Sequence, residues 1–213
     1  GIGFSIFLAK NGGFLPIINQ LFHVDGSGSS TMVGICAHTQ SRAIVNPGCG
    51  IKNVSLIGIY AENNSIIYAP GAITTPTRSN GGCGIYAANN SIICAPNVSI
   101  ATVPGNISYG IYASGGSIIN ANDATVTDIG QYGICANGGS IINARGATVT
   151  DIGQYGICAN GGSIINARGA TVTDTGQYGI YVVNGSIINA SGATADSISP
   201  TPNTITSGGI IFQ

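Results

Sequence analysis

Short apolar runs alternate with turn-forming residues along the chain, and the runs recur in a fixed order. The phrase Gly-Ile-Tyr/Cys-Ala, with Val in its last copy, returns at spacings of 24, 26, 26, 23, 23 and 23 residues. The phrase Ser-Ile-Ile-X-Ala follows each of the last six copies, and a third phrase, Ala-Thr-Val-Thr-Asp, begins at Ala124, Ala147 and Ala170. Self-similarity with a period of about 23 residues is typical of a repeat architecture.

Each phrase has the composition of a short strand. The phrases are rich in Ile, Val, Thr and Tyr, and Gly, Asn, Ser or Pro bound them, which are the residues that favour turns. Three strands and three turns in one period form a triangular coil, and stacked coils pair like strands at about 4.8 Å. The pattern therefore predicts an all-β fold, a parallel β-helix (β-solenoid) of about seven coils that forms multimers.

The repeat divides the chain into three segments. Residues 31–196 are predicted to form the β-helix domain, because the phrases lie within them. Residues 1–30 do not follow the period and are predicted to be an irregular N-terminal strand or cap. Residues 197–213 begin as a Ser/Thr/Pro-rich connector and end in an apolar run that reads as one more strand.

Adjacent residues of a strand point to opposite faces of the sheet. By this rule Tyr109 is predicted to share a face with Ile111, and Tyr112 to lie on the opposite face. The same rule places one isoleucine of each Ser-Ile-Ile phrase inside the coil and the other outside. The paired positions are Ile118 and Ile119, Ile141 and Ile142, Ile164 and Ile165, and Ile187 and Ile188.

An outward isoleucine column is a continuous apolar stripe, which monomers rarely expose. The stripe is therefore predicted to contact other copies of the chain, in a trimer or a laterally packed fibre. Both ends of the chain are apolar and carry no charge to blunt an open strand edge. The last strand is expected either to fold back as a cap or, preferably, to pair with the next subunit. The residues assigned to end-to-end assembly are Ile2, Phe4, Ile6, Ile210, Ile211 and Phe212.

The amino-acid composition excludes several classes of function. Six Lys and Arg against seven Asp and Glu make 6% of the residues charged, against about a quarter in ordinary domains. With no basic run, the chain lacks the footprint of a nucleic-acid-binding protein. No apolar stretch approaches the roughly 18 residues that suggest a membrane helix. No C-x-x-C pair is present, so neither a zinc site nor another cofactor is expected.

Two cysteines occupy one position of neighbouring coils. Cys135 and Cys158 replace tyrosine in the Gly-Ile-Tyr/Cys-Ala phrase, and their Cα atoms should lie about 5 Å apart, within the range for a disulfide. The alternative is that both thiols fill the tyrosine column as small apolar groups. The other four cysteines are not in matching columns.

Three further ladders carry polar chemistry. Asp128, Asp151 and Asp174 stack, as do Arg145 and Arg168; they could bind a cation or a glycan, or simply form a solvated turn edge. The Thr-x-Thr pairs of the third phrase locally resemble the flat arrays of antifreeze proteins. The alternative is the strand propensity of threonine at outward positions.

The phrase Tyr-Gly-Ile-Tyr-Ala-x-Gly-Gly-Ser-Ile-Ile-Asn-Ala-x-x-Ala-Thr-Val-Thr (residues 109–127, repeated at 132–150 and 155–173) resembles repeats of bacteriophage tail-fibre and tailspike proteins. It is also similar to repeats of phage hyaluronate lyases and bacterial surface adhesins. The resemblance covers about residues 34–190 and implies a trimeric, elongated shaft that is extracellular or on the virion surface. No tyrosine stands in a unique Arg, His or Asn setting, so no catalytic residue is assigned.

These observations favour a structural fibre or shaft that mediates assembly and surface attachment, with cell-surface polysaccharide as a candidate ligand. The repetition of the polar residues favours a role without catalysis. The alternatives are a polysaccharide depolymerase of the hyaluronate-lyase-like tailspike kind, a secreted fibre or adhesin that polymerises end to end, and an ice-binding solenoid.

Overall fold

The predicted all-β, parallel β-solenoid is confirmed by a computed structural model. The structure describes residues 5–18, 23–25, 33–76, 82–102, 107–197, 203–205 and 207–213. Within these ranges there are strands and turns but no helix, and so no helix with the length and apolar character needed to cross a membrane. The strands form three parallel sheets that wrap one core.

The first sheet has nine described strands, in the order in which they stack. They are Ser5–Lys10 (β1), Val33–His38 (β4), Ile57–Glu62 (β7), Cys83–Ala88 (β10), Tyr109–Ala113 (β13), Tyr132–Asn137 (β16), Tyr155–Asn160 (β19), Tyr178–Val182 (β22) and Asn203–Ile205 (β25).

The second sheet also has nine described strands. They are Phe14–Ile18 (β2), Arg42–Val45 (β5), Ile66–Tyr68 (β8), Ile92–Cys94 (β11), Ile118–Asn120 (β14), Ile141–Asn143 (β17), Ile164–Asn166 (β20), Ile187–Asn189 (β23) and Ile210–Phe212 (β26).

The third sheet has eight described strands. They are His23–Asp25 (β3), Gly50–Lys52 (β6), Ile73–Thr75 (β9), Ser99–Ala101 (β12), Thr125–Ile129 (β15), Thr148–Ile152 (β18), Thr171–Thr175 (β21) and Thr194–Ser197 (β24).

The described stack is longer than the repeated phrases because both flanking segments add strands to it. Residues 1–30, the predicted irregular strand or cap, contribute three strands in their described part. There β1, β2 and β3 pair with β4, β5 and β6 as one further coil. Phe7, Leu8 and Ala9 take the places that Ile35, Cys36 and Ala37 hold in the next coil. Backbone pairing needs an extended segment with apolar inward positions, not the repeated phrase itself.

The C-terminal strand also stays within the stack. β26 pairs with β23 of the same chain, with Ile210 opposite Ile187 and Ile211 opposite Ile188. Of the two expected arrangements of this strand, the structure has the one in which it folds back onto its own chain. End-to-end assembly through Ile210, Ile211 and Phe212 stays a prediction. Of its N-terminal members, Ile6 belongs to β1, whereas Ile2 and Phe4 lie outside the described residues.

The two isoleucine columns separate cleanly in the second sheet. Ile119, Ile142, Ile165 and Ile188 are fully buried, whereas Ile118, Ile141 and Ile164 are 42–43% exposed; Ile187 is half-buried. The outward column extends over seven coils, and we call it the isoleucine stripe. Its members are Ile66, Ile92, Ile118, Ile141, Ile164, Ile187 and Ile210.

A ladder of buried serines crosses the corner between the first and second sheets. The backbone N–H of Ser117 donates to Oγ of Ser140 at 3.2 Å, and Ser140 and Ser163 donate onward to the next coil in the same way. The ladder extends down to Ser41. The serine of the Ser-Ile-Ile phrase therefore satisfies a buried donor at the corner, where an unpaired N–H would be costly.

Tyr109 lies on the outer face beside Tyr112, contrary to the strict alternation that predicted it on the face of Ile111. The ring centroids of the two tyrosines are 4.4 Å apart. The reason is Gly110, where a Cβ atom would lie 2.4 Å from Cγ1 of the buried Val126. Gly110 and Ile111 therefore both face the core, and this break in the alternation between them leaves Tyr109 on the outer face.

Candidate functional site

Eight of the nine tyrosines stack along the outer face of the first sheet. We call this stack the tyrosine ladder. Neighbouring ring centroids are 4.4–5.6 Å apart, within the range of favourable aromatic pairs. Its members are Tyr60, Tyr86, Tyr112, Tyr109, Tyr132, Tyr155, Tyr178 and Tyr181.

The ladder changes column in the middle of the stack. Tyr60, Tyr86 and Tyr112 occupy the same position of consecutive strands, but the next two coils carry Cys135 and Cys158 there. We call the position of Tyr112 and Cys135 the first column. The stack continues through a second column, from Tyr109 to Tyr132 at 5.0 Å and then to Tyr155 at 5.2 Å. It reaches the first column again at Tyr181, 4.7 Å from Tyr155. Two coils therefore lack a ring in the first column.

A groove of about 300 Å³ lies where these rings are missing. Its wall includes ladder rings from both columns, and Cys135 and Cys158 belong to its lining although they are only 5% and 4% exposed. Asparagines from the ends of β16 and β19 and from the turn after β22 complete it. The lining residues are Tyr109, Tyr112, Tyr132, Cys135, Asn137, Tyr155, Cys158, Asn160, Tyr181, Val183 and Asn184.

Polar side chains run parallel to the ladder and bond to it. Nδ2 of Asn137 donates to the hydroxyl of Tyr112 at 3.3 Å. The hydroxyls of Tyr86 and Ser114 are 3.0 Å apart, one coil below. Nδ2 of Asn184 donates to Oδ1 of Asn160 at 2.8 Å, which fixes the upper rim of the groove. The groove therefore combines aromatic rings with amides held in defined positions.

The lining is uncharged at neutral pH. A hydrogen bond with the Cys158 thiol, together with burial, raises the pKa of Cys135 well above its ordinary value. Burial also raises the pKa values of Tyr109, Tyr112, Tyr132 and Tyr155. Phenols and thiols that stay protonated supply hydrogen bonds and apolar surface, whereas a general base should have a pKa near the working pH. The chemistry of the groove is therefore suited to binding.

We expect the protein to lose stability as the pH rises above about 9. A thiol in the unfolded chain ionises around its ordinary pKa of 9, whereas burial raises the pKa of Cys83 in the fold to about 12. The stabilisation from the neutral thiol is thus fully present below pH 9 and is lost as the pH rises towards 12. The ladder tyrosines act in the same direction from pH 10 upward, because burial raises their pKa values too.

Urea midpoints measured between about pH 8 and pH 11 test this expectation. Tyrosinate absorbance, followed in parallel, should appear together with unfolding. The Cys83→Ala variant should show a smaller fall of the midpoint with pH, since it removes a buried thiol whose pKa burial raises to about 12. A midpoint that stays constant over this range would contradict the expectation.

The two cysteines lie where the repeat predicted them, opposite one another in β16 and β19. Both are free thiols in the structure, as are the other four cysteines. Their burial fits the alternative in which they fill the column as small apolar groups. A disulfide between them stays a prediction.

The charged and hydroxyl ladders occupy other parts of the coil. Asp128, Asp151 and Asp174 have positive φ angles of 53–59° and lie within strands of the third sheet, in β15, β18 and β21. Oγ1 of Thr150 lies 3.4 Å from a carboxylate oxygen of both Asp151 and Asp174. The outward threonines of the third sheet include Thr125, Thr148 and Thr171.

Arg145 and Arg168 line a separate cavity of about 490 Å³ at the turn between the second and third sheets. Asn122 and Asp123 lie in the same cavity. No cluster of three or more potential metal ligands occurs among the described residues. Nε2 of His38 lies 3.3 Å from Oε2 of Glu62, at the polar edge of the first sheet.

Sequence reasoning identified the cysteine pair but missed the groove. The signal was available: two consecutive coils replace tyrosine by cysteine in a column that otherwise carries rings from Tyr60 to Tyr181. The loss of two large side chains between two retained ones predicts a recess. The strict alternation that placed Tyr109 inside concealed the second row of rings.

The fold and the repeat agree with a known family of solenoid proteins. No curated protein and no solved structure matches the chain. The family model of the right-handed beta helix region matches residues 77–211, well over half of the sequence. The chain belongs to the right-handed beta helix family.

Proposed function

We propose that this chain is a structural shaft of a virion tail fibre or an extracellular appendage, which assembles with further copies of itself. Membership of the right-handed beta helix family is compatible with fibre, adhesin and polysaccharide-degrading roles. The observation that carries the proposal among these is the isoleucine stripe, an outward apolar column that continues over seven coils.

The stripe is long enough to hold copies together. Seven coils at a rise of about 4.8 Å make it roughly 29 Å long. Ile118, Ile141 and Ile164 each leave more than two fifths of their surface exposed. Covering that fraction contributes about 1 kcal/mol per side chain, so the whole stripe offers several kcal/mol per chain. Asn143, the next outward residue after Ile141, and its equivalents supply amides beside the stripe.

The direct test replaces two residues of the stripe. The unmodified protein should elute as a multimer in size-exclusion chromatography with light scattering, as a trimer or a longer assembly. The Ile141→Asn/Ile164→Asn variant should elute as a folded monomer with an unchanged β-type circular dichroism spectrum, because both side chains are outward and make no core contact.

A matched control changes the third sheet instead. Thr148 and Thr171 are exposed residues of the same two coils, so the Thr148→Asn/Thr171→Asn variant should remain multimeric. A monodisperse monomer for the unmodified protein would refute the proposed assembly. Unsaturated products released from hyaluronan would instead favour the depolymerase alternative.

A further inference from the structure

We propose that the groove at Cys135 and Cys158 is a binding site for an uncharged saccharide. A sugar ring would stack on the tyrosines of the wall while the asparagines of the rim bond to its hydroxyls. This site lies on the first sheet, so the proposal goes beyond the assembly function of the second sheet and does not depend on it.

The first argument is the shape of the recess. The column that holds Tyr112 below and Tyr181 above has no ring at Cys135 or Cys158. The two missing rings leave a slot over Cys135 and Cys158. Tyr109 stacks on Tyr112 at 4.4 Å and Tyr155 stacks on Tyr181 at 4.7 Å, so these four rings bound the slot. Tyr132 and Tyr155 form its side wall. The groove of about 300 Å³ is open to a ring-shaped group from the side.

The second argument is that the ladder opens at this point. The planes of Tyr132 and Tyr155 are inclined by 43°, whereas the planes of the other stacked pairs are inclined by 6–24°. Parallel rings cover one another's faces, but a tilted pair leaves part of a face uncovered. Tyr132 and Tyr155 thus present aromatic surface towards the groove, on which the apolar C–H face of a sugar can pack.

The third argument is the hydrogen-bonding capacity of the rim. A carboxamide has two donor hydrogens and an acceptor oxygen with two lone pairs. One bond from Asn137 to Tyr112 and one from Asn184 to Asn160 use only part of this capacity. Sugar hydroxyls both donate and accept, so they match amides and phenols better than a purely apolar or purely anionic ligand does.

The fourth argument concerns charge. None of the eleven lining residues carries a charged side chain at neutral pH. A uronate or sulfate placed against them would lose water without gaining a cationic partner, which is costly. The two clustered arginines, Arg145 and Arg168, lie in the separate cavity at the turn between the second and third sheets. The groove therefore favours neutral sugars over acidic ones.

Tyrosine fluorescence of the full chain measures the binding directly, because the protein has no tryptophan. The probes are neutral oligosaccharides of glucose and of N-acetylglucosamine, with a hyaluronan oligosaccharide as the acidic comparison. At least one neutral probe should change the emission saturably. The hyaluronan probe should bind at least tenfold more weakly. Failure of all the neutral probes, or equal affinity for hyaluronan, would overturn the proposal.

A variant that refills the slot tests the location. Cys135→Tyr/Cys158→Tyr restores the tyrosine found at this position in four other coils, and the pairs Tyr109–Tyr112 and Tyr178–Tyr181 show that one coil accommodates both rings. Binding should fall at least tenfold. The control Tyr60→Ala, at the far end of the ladder, should bind as the unmodified protein does.

A second variant keeps the groove open. Asn137→Ala/Asn160→Ala removes two rim amides without filling the slot and should also weaken binding at least tenfold. This variant tests the location of the site even if Cys135→Tyr/Cys158→Tyr does not fold. Chromatography of each variant monitors assembly, so loss of sugar binding with an unchanged multimer separates this site from the isoleucine stripe. Unchanged binding in both variants would overturn the proposal.

Discussion

Replacing Ile142 by asparagine should unfold the coil stack or leave it barely stable. Ile142 is fully buried between its equivalents Ile119 and Ile165. The change forfeits about 1.5–3 kcal/mol of apolar burial and buries an amide without a partner, at about 1–3 kcal/mol more. The sum of about 2.5–6 kcal/mol is a large part of the 5–15 kcal/mol that stabilises a typical domain.

The matched control is the preceding residue. Ile141 belongs to the same strand but points outward and is 42% exposed, so Ile141→Asn should change the free energy of unfolding of a single chain by less than about 0.5 kcal/mol. Urea unfolding followed by circular dichroism, at a protein concentration where both variants are monomeric, makes the comparison. Equal destabilisation by the two substitutions would contradict the assignment of the core.

The choice between the two isoleucines shows what the repeat alone could decide. Period-two alternation separates Ile141 from Ile142 but does not say which face is inside. The flanking residues carry that information. In the phrase Ser-Ile-Ile-Asn-Ala, Ser140 and Ala144 share a face with Ile142, and Asn143 shares one with Ile141. Small residues fit the crowded interior and asparagine the surface, so the full phrase predicts the orientation that the structure has.

In the N-terminal coil the repeated phrase predicted too little, because a strand without the phrase also belongs to the stack. Phe7-Leu8-Ala9 occupies the place of Ile35-Cys36-Ala37 without matching the repeated phrase, at a spacing of 28 residues. A parallel ladder is held by backbone hydrogen bonds and inward apolar contacts. A search for identical residues therefore misses coils at the end of the stack that lack the phrase. The phrases do not determine the handedness of the coil. The match to the right-handed beta helix family indicates a right-handed coil.

The groove depends on a local departure from alternation that no period could reveal. Glycine at position 110 allows two successive residues to face the core, and this moves Tyr109 outside beside Tyr112. Strict alternation places the two tyrosines of one phrase on opposite faces. Only when both rows are placed on one surface does the gap left by Cys135 and Cys158 become a recess walled by rings.

Gly133 is the equivalent of Gly110 in the next coil, and we expect the Gly133→Ala substitution to lower the stability of the fold strongly. A Cβ atom at Gly133 would lie 2.4 Å from Cγ1 of Val149 and 2.6 Å from the carbonyl oxygen of Gly156. Val149 is fully buried, and the carbonyl belongs to the neighbouring strand of the first sheet. Neither can move without disturbing the core or the ladder, so we expect a loss of about 3 kcal/mol or more.

Gly139→Ala is the control, because this glycine tests conformation without crowding. Its φ is +74° and no atom lies within 4 Å of a Cβ built there, so alanine should cost only about 1–2 kcal/mol of left-handed strain. Glycines equivalent to Gly133 occur in other coils as well, and a Cβ atom built on them would lie 2.2–2.7 Å from the nearest atom. The need for glycine at this position therefore comes from the packing of coil on coil and not from one irregular site. Denaturant midpoints of the two variants decide the matter: a larger loss in Gly139→Ala than in Gly133→Ala would mean that turn strain, and not close packing of the coils, explains the glycines of the repeat.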